Sequence, residues 1–144
     1  MSEDLLELAR RYRDILRQAV YLVRAMDSDG ELSTRQVSTL SMVADAPTRV
    51  SDIARFSGIR VPSATEQVIK LEAAGLVQRI SDDSDARVVL VTLTEVGRTK
   101  LDEANDRRNT AMARALTTLS EGERQAIGEA LPAIAKLNAA LTAS

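Results

Sequence analysis

The 144-residue chain contains no cysteine, no histidine and no tryptophan, and its aromatic content is only 2%. Without thiols, disulfides and thiolate metal sites are excluded, and without imidazoles the commonest metal ligand and general base are missing. The scarcity of aromatic rings also disfavours base stacking on single-stranded nucleic acid. No glycine-rich phosphate loop is present. The chain is therefore predicted not to be an enzyme, and no cofactor or metal is expected.

Long hydrophobic runs are missing as well. No stretch approaches the length of a membrane span, and no basic-then-apolar leader is found, so a cytoplasmic protein is expected. The formal net charge of −2 argues mildly against a nucleic-acid partner. A chain of 144 residues is large enough for a core of its own, and we predict one domain over residues 1–144.

The chain is organised around residues 50–94. Ser51 predicts a helix N-cap and Gly58 a left-handed residue at the helix end, so a short helix is expected between them. A second helix follows at once over residues 62–74, because Pro62 suits a first helical position. So short a turn makes the two helices pack at a steep angle, which is the helix-turn-helix unit.

The second helix of this unit has an apolar face and a polar face. Apolar residues recur at helical spacing at Ala64, Val68 and Leu71, with Ile69 flanking them. The other side carries side chains that hydrogen-bond, namely Ser63, Glu66, Gln67 and Lys70. Such a face is most often simply solvated, but on the second helix of this unit it is the surface that reads base edges in the major groove.

Two segments predicted to be β-strands follow the second helix. Residues 76–81 and 87–93 are rich in β-branched side chains, and the turn-forming run between them, residues 82–86, predicts a β-hairpin. Residues 48–50 are extended too and can add a small strand beside it. The predicted fold class is therefore mainly α with a small β-hairpin wing (α+β), a winged helix-turn-helix.

These residues resemble the MarR family of bacterial transcription factors. The resemblance is carried by Gly75-Leu76-Val77 with Arg79 two residues on, by Asp85-Ala86-Arg87, and by Leu93-Thr94 with Gly97 following. It implies a homodimer that binds palindromic double-stranded operators, as a repressor relieved by a small-molecule ligand. In the family the wing arginine, here Arg87, enters the minor groove, and the wing aspartate, here Asp85, helps to hold it.

Together the patterns and the resemblance predict a DNA-binding surface made of Arg60, Pro62, Ser63, Thr65, Glu66, Gln67, Lys70, Arg79, Asp85 and Arg87. The segment from residue 49 to residue 87 has no net charge. Its bases and acids are equal in number: Arg49, Arg55, Arg60, Lys70, Arg79 and Arg87 against Asp52, Glu66, Glu72, Asp82, Asp83 and Asp85. Helix N-termini and side-chain donors must then contact the phosphates while the acids are paired or turned away. The alternative is a winged-helix module for protein–protein contacts that binds no DNA, which would explain the acidic balance directly.

Amphipathic helices flank the winged helix. The first, over residues 4–26, has an unbroken apolar stripe, and the last has another from Ile127 to Leu141, in which Pro132 predicts a kink or break. The starts of two helices are marked by capping boxes, Ser33 with Gln36 and Ser120 with Glu123.

Stripes of this length exceed what one small domain needs to cover, so a partner helix is expected. We therefore predict that residues 1–30 and 95–144 supply dimerisation helices and that residues 33–94 form the DNA-binding lobe. The resemblance further implies a crevice between the dimer helices and the winged helix that binds small aromatic acids. Tyr12, Arg17 and Tyr21 are the candidates to line it, although ordinary core or surface packing is the simpler explanation for each.

Overall fold

The computed structural model describes residues 1–28 and 30–144. Within these residues the chain forms, in order, α1 (Glu3–Asp27), α2 (Thr34–Ala44), β1 (Thr48–Arg49), α3 (Val50–Ser57), α4 (Val61–Ala73), β2 (Val77–Ser81), β3 (Val89–Leu93), α5 (Glu95–Leu116) and α6 (Glu121–Ala143). The predicted class, mainly α with a small hairpin wing, is confirmed. None of the helices in the described ranges is long and apolar enough to cross a membrane.

Two compact units make up the chain, residues 1–108 and residues 109–144. The first contains α1, the winged helix and the first part of α5, and the second contains the end of α5 and α6. That the whole chain acts as one domain, with dimerisation helices at both ends, stays a prediction.

The core of the first unit lies between α2, α3, α4 and the sheet. Ala64, Val68 and Leu71, the three residues of α4 predicted to face it, are all buried. They belong to one cluster with buried residues of the neighbouring elements, among them Val37, Leu40, Val43, Ile53, Ala54 and Val91. Ile69, expected to flank this face, is 47% exposed, because each residue turns the helix by about 100° and so places Ile69 beside the buried Val68 rather than under it.

The wing is a three-stranded antiparallel sheet with strand order β1–β3–β2. Val77 of β2 pairs with Leu93 of β3, and Thr48 of β1 pairs with Val91 on the other side of β3. The small strand expected beside the hairpin is therefore present. Since β1 leads directly into α3, the sheet also fixes where that helix begins.

Helix ends agree with the sequence where local side-chain chemistry sets them. Both predicted capping boxes are present, at Ser33 and at Ser120. Ser51, however, is not an N-cap, because α3 begins at Val50 with Arg49 in the capping position, two residues before the predicted cap. Pro62 is likewise the second residue of α4 rather than the first. Of the kink or break predicted at Pro132, the break is wrong, since α6 continues through it; the kink stays a prediction.

Three residues of the motif that carries the family resemblance meet where the wing joins α5. Thr94 Oγ1 donates a hydrogen bond to the Gly75 carbonyl at 2.6 Å and accepts one from the Gly97 N–H at 3.0 Å. Gly75 has φ +77°, in the left-handed region that glycine favours. Gly97 lies so close to the neighbouring backbone that a Cβ there would be 2.0 Å from the Leu76 carbonyl oxygen. Only glycine fits at this position.

Replacing Gly97 with alanine is therefore expected to lower the free energy of unfolding by about 3 kcal/mol, because the backbone around Leu76 must move to admit the methyl group. Gly122→Ala is the matched control: it lies in the first turn of α6, and its Cβ would meet nothing nearer than Ser120 Oγ at 4.0 Å. Urea unfolding of both variants measures the difference. Equal stability of the two variants would show that the contact at Gly97 is relaxed without loss.

Candidate nucleic-acid interface

The outward face of α4 carries most of the predicted helix residues. Arg60, Pro62, Ser63, Glu66 and Lys70 are exposed, while Thr65 is half-buried. Lys70 Nζ lies 3.3 Å from Glu66 Oε1, one helical turn away. An exposed pair of this kind contributes little to stability, so both side chains can exchange their mutual contact for another partner.

Gln67 is placed differently from its neighbours. Its side-chain carbonyl oxygen is buried and has no hydrogen-bond donor within the described residues. The residue lines a cavity of about 70 Å³ between α2 and α4, together with Arg35 and Thr39. A bidentate contact to adenine needs that oxygen as an acceptor. In the free protein it is not presented to solvent, so the other polar residues of α4 are the better placed to read bases.

At the base of the wing, Arg87 is held by Asp85. The Arg87 backbone N–H donates to Asp85 Oδ1 at 3.0 Å, Nε donates to the same oxygen at 3.1 Å, and a terminal guanidinium nitrogen donates to Oδ2 at 3.1 Å. These hydrogen bonds, the side-chain ones foremost, lower the pKa of Asp85. The Arg87 side chain nevertheless remains 90% exposed. Its guanidinium is therefore held along one edge by Asp85, while the other edge faces solvent.

Arg79 is bound to α4 rather than projecting into solvent. Glu72, near the end of α4, accepts a hydrogen bond from the Arg79 backbone N–H and another from Nε, both at 3.0 Å. The guanidinium hydrogen bond is the main reason why the pKa of Glu72 is lowered. Because Arg79 belongs to β2, an edge strand of the sheet, this pair connects the wing to α4.

A notch of about 360 Å³ lies between α4 and the wing. Its lining brings together three of the predicted residues, Thr65, Arg79 and Arg87, and adds Arg49 and Ser51. Three arginines line this concavity, but Arg79 is paired with Glu72, so an anionic group such as a phosphate would be met by Arg49 and by the free edge of Arg87. Arg49 was not among the predicted site residues, although a basic residue close before a helix start is a usable signal.

The acidic residues of the winged helix are largely neutralised by bases. Four ion pairs account for four of them: Asp52–Arg55, Glu66–Lys70, Glu72–Arg79 and Asp85–Arg87. Arg49 and Arg60 have no carboxylate partner among the described residues, and each occupies the N-cap position of a helix without a side-chain cap. The N–H groups that begin α3 and α4 therefore stay available to an anion, with an arginine beside each.

The three residues predicted to bind a ligand lie along α1 and do not meet in one cavity. Arg17 is exposed and paired with Asp14 at 3.4 Å, and Tyr21 is exposed too. Tyr12 is half-buried, and its hydroxyl has no partner within the described residues.

A crevice of about 510 Å³ instead opens nearer the C-terminal end of α1, against α2 and the end of α3. Its apolar walls are Val20, Met42, Phe56 and Ile59, and its polar lining is Arg24, Thr34, Arg35, Ser38 and Ser57. Neither arginine is paired with a carboxylate in the described part of the chain. Apolar walls with two cations are the composition of a site for a small amphipathic anion.

A helix-turn-helix whose second helix shows a polar face beside an arginine-bearing wing defines a winged-helix DNA-binding protein. The model of the MarR family matches residues 32–89. The HTH-type transcriptional regulator YxaD of Bacillus subtilis is 31% identical over 117 residues, covering 81% of this chain and 82% of the relative. The chain belongs to the MarR family, whose members are transcriptional regulators and not enzymes.

Two further comparisons agree with this assignment. The HTH-type transcriptional repressor MdtR of Bacillus subtilis is 28% identical over 102 residues, covering 71% of this chain and 66% of the relative. The crystal structure of FabT from Streptococcus pneumoniae in complex with DNA has a TM-score of 0.69 at 18% identity, covering 95% of this chain and 99% of that one. The predicted family is thus confirmed.

Arg87→Ala is expected to weaken specific DNA binding by roughly tenfold or more without unfolding the protein, because an oriented arginine that projects from the wing is lost. The slope of log affinity against log salt should fall by about one if Arg87 also neutralises a phosphate. Arg87→Lys should restore little, since an ammonium lacks the planar fork. DNA-binding titrations at several salt concentrations measure the affinity and the salt slope of each variant, and thermal melts show whether it is folded.

The matched control for this experiment is Arg10→Ala. Arg10 is exposed and doubly hydrogen-bonded to Glu7, at 3.0 and 2.7 Å, but it lies on α1, away from the winged helix. It removes the same charge from a similar pair. If Arg10→Ala weakens binding as much as Arg87→Ala does, the effect is one of overall charge and the wing has no special role.

Proposed function

We propose that the protein is a homodimeric, sequence-specific regulator that binds a palindromic double-stranded operator, acts as a repressor, and is released by a small amphipathic anion. One observation carries the DNA-binding part: the Arg87 guanidinium is held along one edge by Asp85 yet is almost fully exposed, beside an α4 whose N-terminus is uncapped and whose outward face is polar. MdtR, a relative named as a repressor, and FabT, solved with DNA, support the proposal by analogy.

In this proposal, one group of residues positions the protein on the DNA backbone and another group reads the bases. The N-terminal N–H groups of α3 and α4, with Arg49 and Arg60 beside them, would contact phosphates and set the register. Ser63, Glu66 and Lys70 would then reach base edges in the major groove, while Arg87 would enter the adjacent minor groove. Arg79 has a bracing role in this scheme, because Glu72 already occupies its guanidinium.

Dimer formation is supported by apolar surface in each unit. On α1, Leu5, Leu8 and Ile15 are all more than half exposed, and on α6 Leu131 and Leu141 are as well. Not one residue of α6 is buried within the described chain. Uncovered leucine and isoleucine side chains on long helices are typical of interaction surfaces, and a second copy is the commonest partner.

The proposal is tested by selecting bound sequences from a random duplex library with the purified full-length chain. We expect an inverted repeat whose half-site centres are about 10 base pairs apart, bound by a particle with twice the mass of the chain in light scattering. An enriched sequence without two-fold symmetry would contradict the dimer. No enrichment at all would contradict DNA binding and favour the protein–protein module.

Ligand release is supported by the crevice at the end of α1. An aromatic carboxylate would set its ring against Phe56 and Met42 and its charge near Arg24 and Arg35. Such a ligand would lie between α1 and the helix-turn-helix and would bias their arrangement. Differential binding to the two arrangements is what release requires.

Benzoate serves as the probe for this crevice. Arg24→Ala is expected to reduce the benzoate-dependent rise in melting temperature and the benzoate-dependent loss of operator binding several-fold, because one of two cations is removed. Arg17→Ala is the matched control, since Arg17 lies two turns earlier on α1 and does not line the crevice. Loss of the response in Arg17→Ala alone would instead favour the site predicted from the sequence.

A further inference from the structure

Asp27 occupies an unfavourable place for a carboxylate. It is the last residue of α1, where the helix dipole is negative, and only 8% of it is exposed. All residues of α1 are described, and Asp27 is the one among them that is buried. Burial of a charge is unfavourable unless the charge is paired and hydrogen-bonded. A carboxylate that is both buried and at the negative end of a helix dipole needs compensating contacts.

Those contacts come from two other elements of the same unit. Arg108 of α5 donates from Nε to Asp27 Oδ1 at 2.8 Å and from a terminal nitrogen to Oδ2. Thr34, the first residue of α2, donates its hydroxyl to Oδ2 at 2.7 Å. The hydrogen bonds from Arg108, followed by that from Thr34, outweigh burial and lower the pKa of Asp27. The carboxylate thus joins the end of α1, the start of α2 and α5.

The segment between α1 and α2 also lies close to α5, but its other contacts with α5 are weak. Gly30 passes Arg107 so tightly that a Cβ would lie 2.8 Å from a guanidinium nitrogen. Glu31 is paired with Lys100 at 2.8 Å, but the Glu31 side chain is 71% exposed, and exposed pairs of this kind contribute little. The buried pair of Asp27 with Arg108, whose side chains are 6% and 22% exposed, is therefore the contact that can fix an angle.

We propose that Asp27 is a positioning residue for operator binding: clamped by Arg108 and Thr34, it fixes the direction in which α1 leaves the winged helix and thereby the distance between the two recognition helices of the dimer. The inference rests on the proposed function, in which α1 contributes to the dimer. Two winged helices whose anchoring helices leave at a fixed angle present their α4 helices at a fixed separation.

The length of α1 makes this angle consequential. Its 25 residues span roughly 37 Å at 1.5 Å per residue. A tilt of about 5° at the clamp would move the far end by roughly 3 Å, close to the rise of one base pair. A small change of angle at Asp27 would therefore change the preferred half-site spacing by an amount that DNA-binding measurements can detect.

The clamp also adjoins the crevice. Thr34 both donates to Asp27 and lines the cavity with Arg24 and Arg35. An anion held by those arginines would compete with Asp27 for the Thr34 hydroxyl. The clamp is thus the contact through which an occupant of the crevice would reach the spacing of the recognition helices.

The test measures binding of the full chain to a series of selected inverted repeats in which the half-sites are moved apart or together one base pair at a time. Wild-type protein should prefer one spacing. Asp27→Asn, which keeps the shape but removes the charge, should flatten that preference by roughly fivefold or more, the low end of typical coupling between sites. Base preference inside each half-site should not change. A role in stability alone would lower affinity at every spacing equally.

Two variants make the outcome decisive. Thr34→Val keeps the Asp27–Arg108 pair and removes one hydrogen bond, so it should fold and flatten the profile to a smaller degree. Glu31→Gln breaks the exposed pair with Lys100 and should leave the profile unchanged. If Asp27→Asn and Thr34→Val both keep the wild-type optimum and sharpness, the positioning role is wrong while operator binding stands. If the wild type itself binds no spaced repeat, the proposed function and this inference fail together.

Discussion

Burial of one face of α4 is the constraint on which the rest of the interface depends. Packing Ala64, Val68 and Leu71 into the core sets the rotation of the helix, and so decides which side chains face outward. Each buried valine or leucine contributes about 1.5–3 kcal/mol, whereas a missing N-cap side chain loses about 1 kcal/mol. The core can therefore hold α4 in place while its N-terminus stays uncapped beside Arg60, which is the state that an incoming phosphate needs.

An acidic chain can still present a surface for a polyanion, because its charges are arranged in pairs. Ion pairs of Asp52, Glu66 and Glu72 with neighbouring bases remove most of the local repulsion, and what remains near the notch is Arg49 and the free edge of the Arg87 guanidinium. Since most of these pairs are exposed, salt would screen them together with the proposed DNA contacts. Affinity from such a surface depends on the placement of a few donors rather than on net charge.

The sequence predicted those features that short-range chemistry decides. Capping boxes, the left-handed glycine at position 58, and the buried spacing on α4 all follow from neighbours within a few residues. Where longer contacts compete, prediction failed. Pairing of β1 with β3 starts α3 before Ser51. Pro132 does not end α6, because the helix is exposed and the Gly128 carbonyl that loses its donor can be hydrated.

Hydrophobic periodicity could not predict the crevice or the contact of Asp27 with Arg108 and Thr34, because both depend on residues far apart in the sequence. Asp27 and Arg108 are 81 residues apart, and no local pattern marks one as the partner of the other. Once Asp27 anchors α1 at its C-terminal end, helix geometry decides the rest: Tyr12 and Arg17 lie roughly 22 and 15 Å back along the axis, whereas Arg24 lies roughly 5 Å away. In the sequence, Arg17 and Arg24 both lie between the apolar positions of α1 and nothing separates them. The contacts of Asp27 hold the last turn of α1 against the start of α2, where Arg24 lines the crevice and Arg17 does not, and in our proposal this is where a bound anion would act on the direction of the helix.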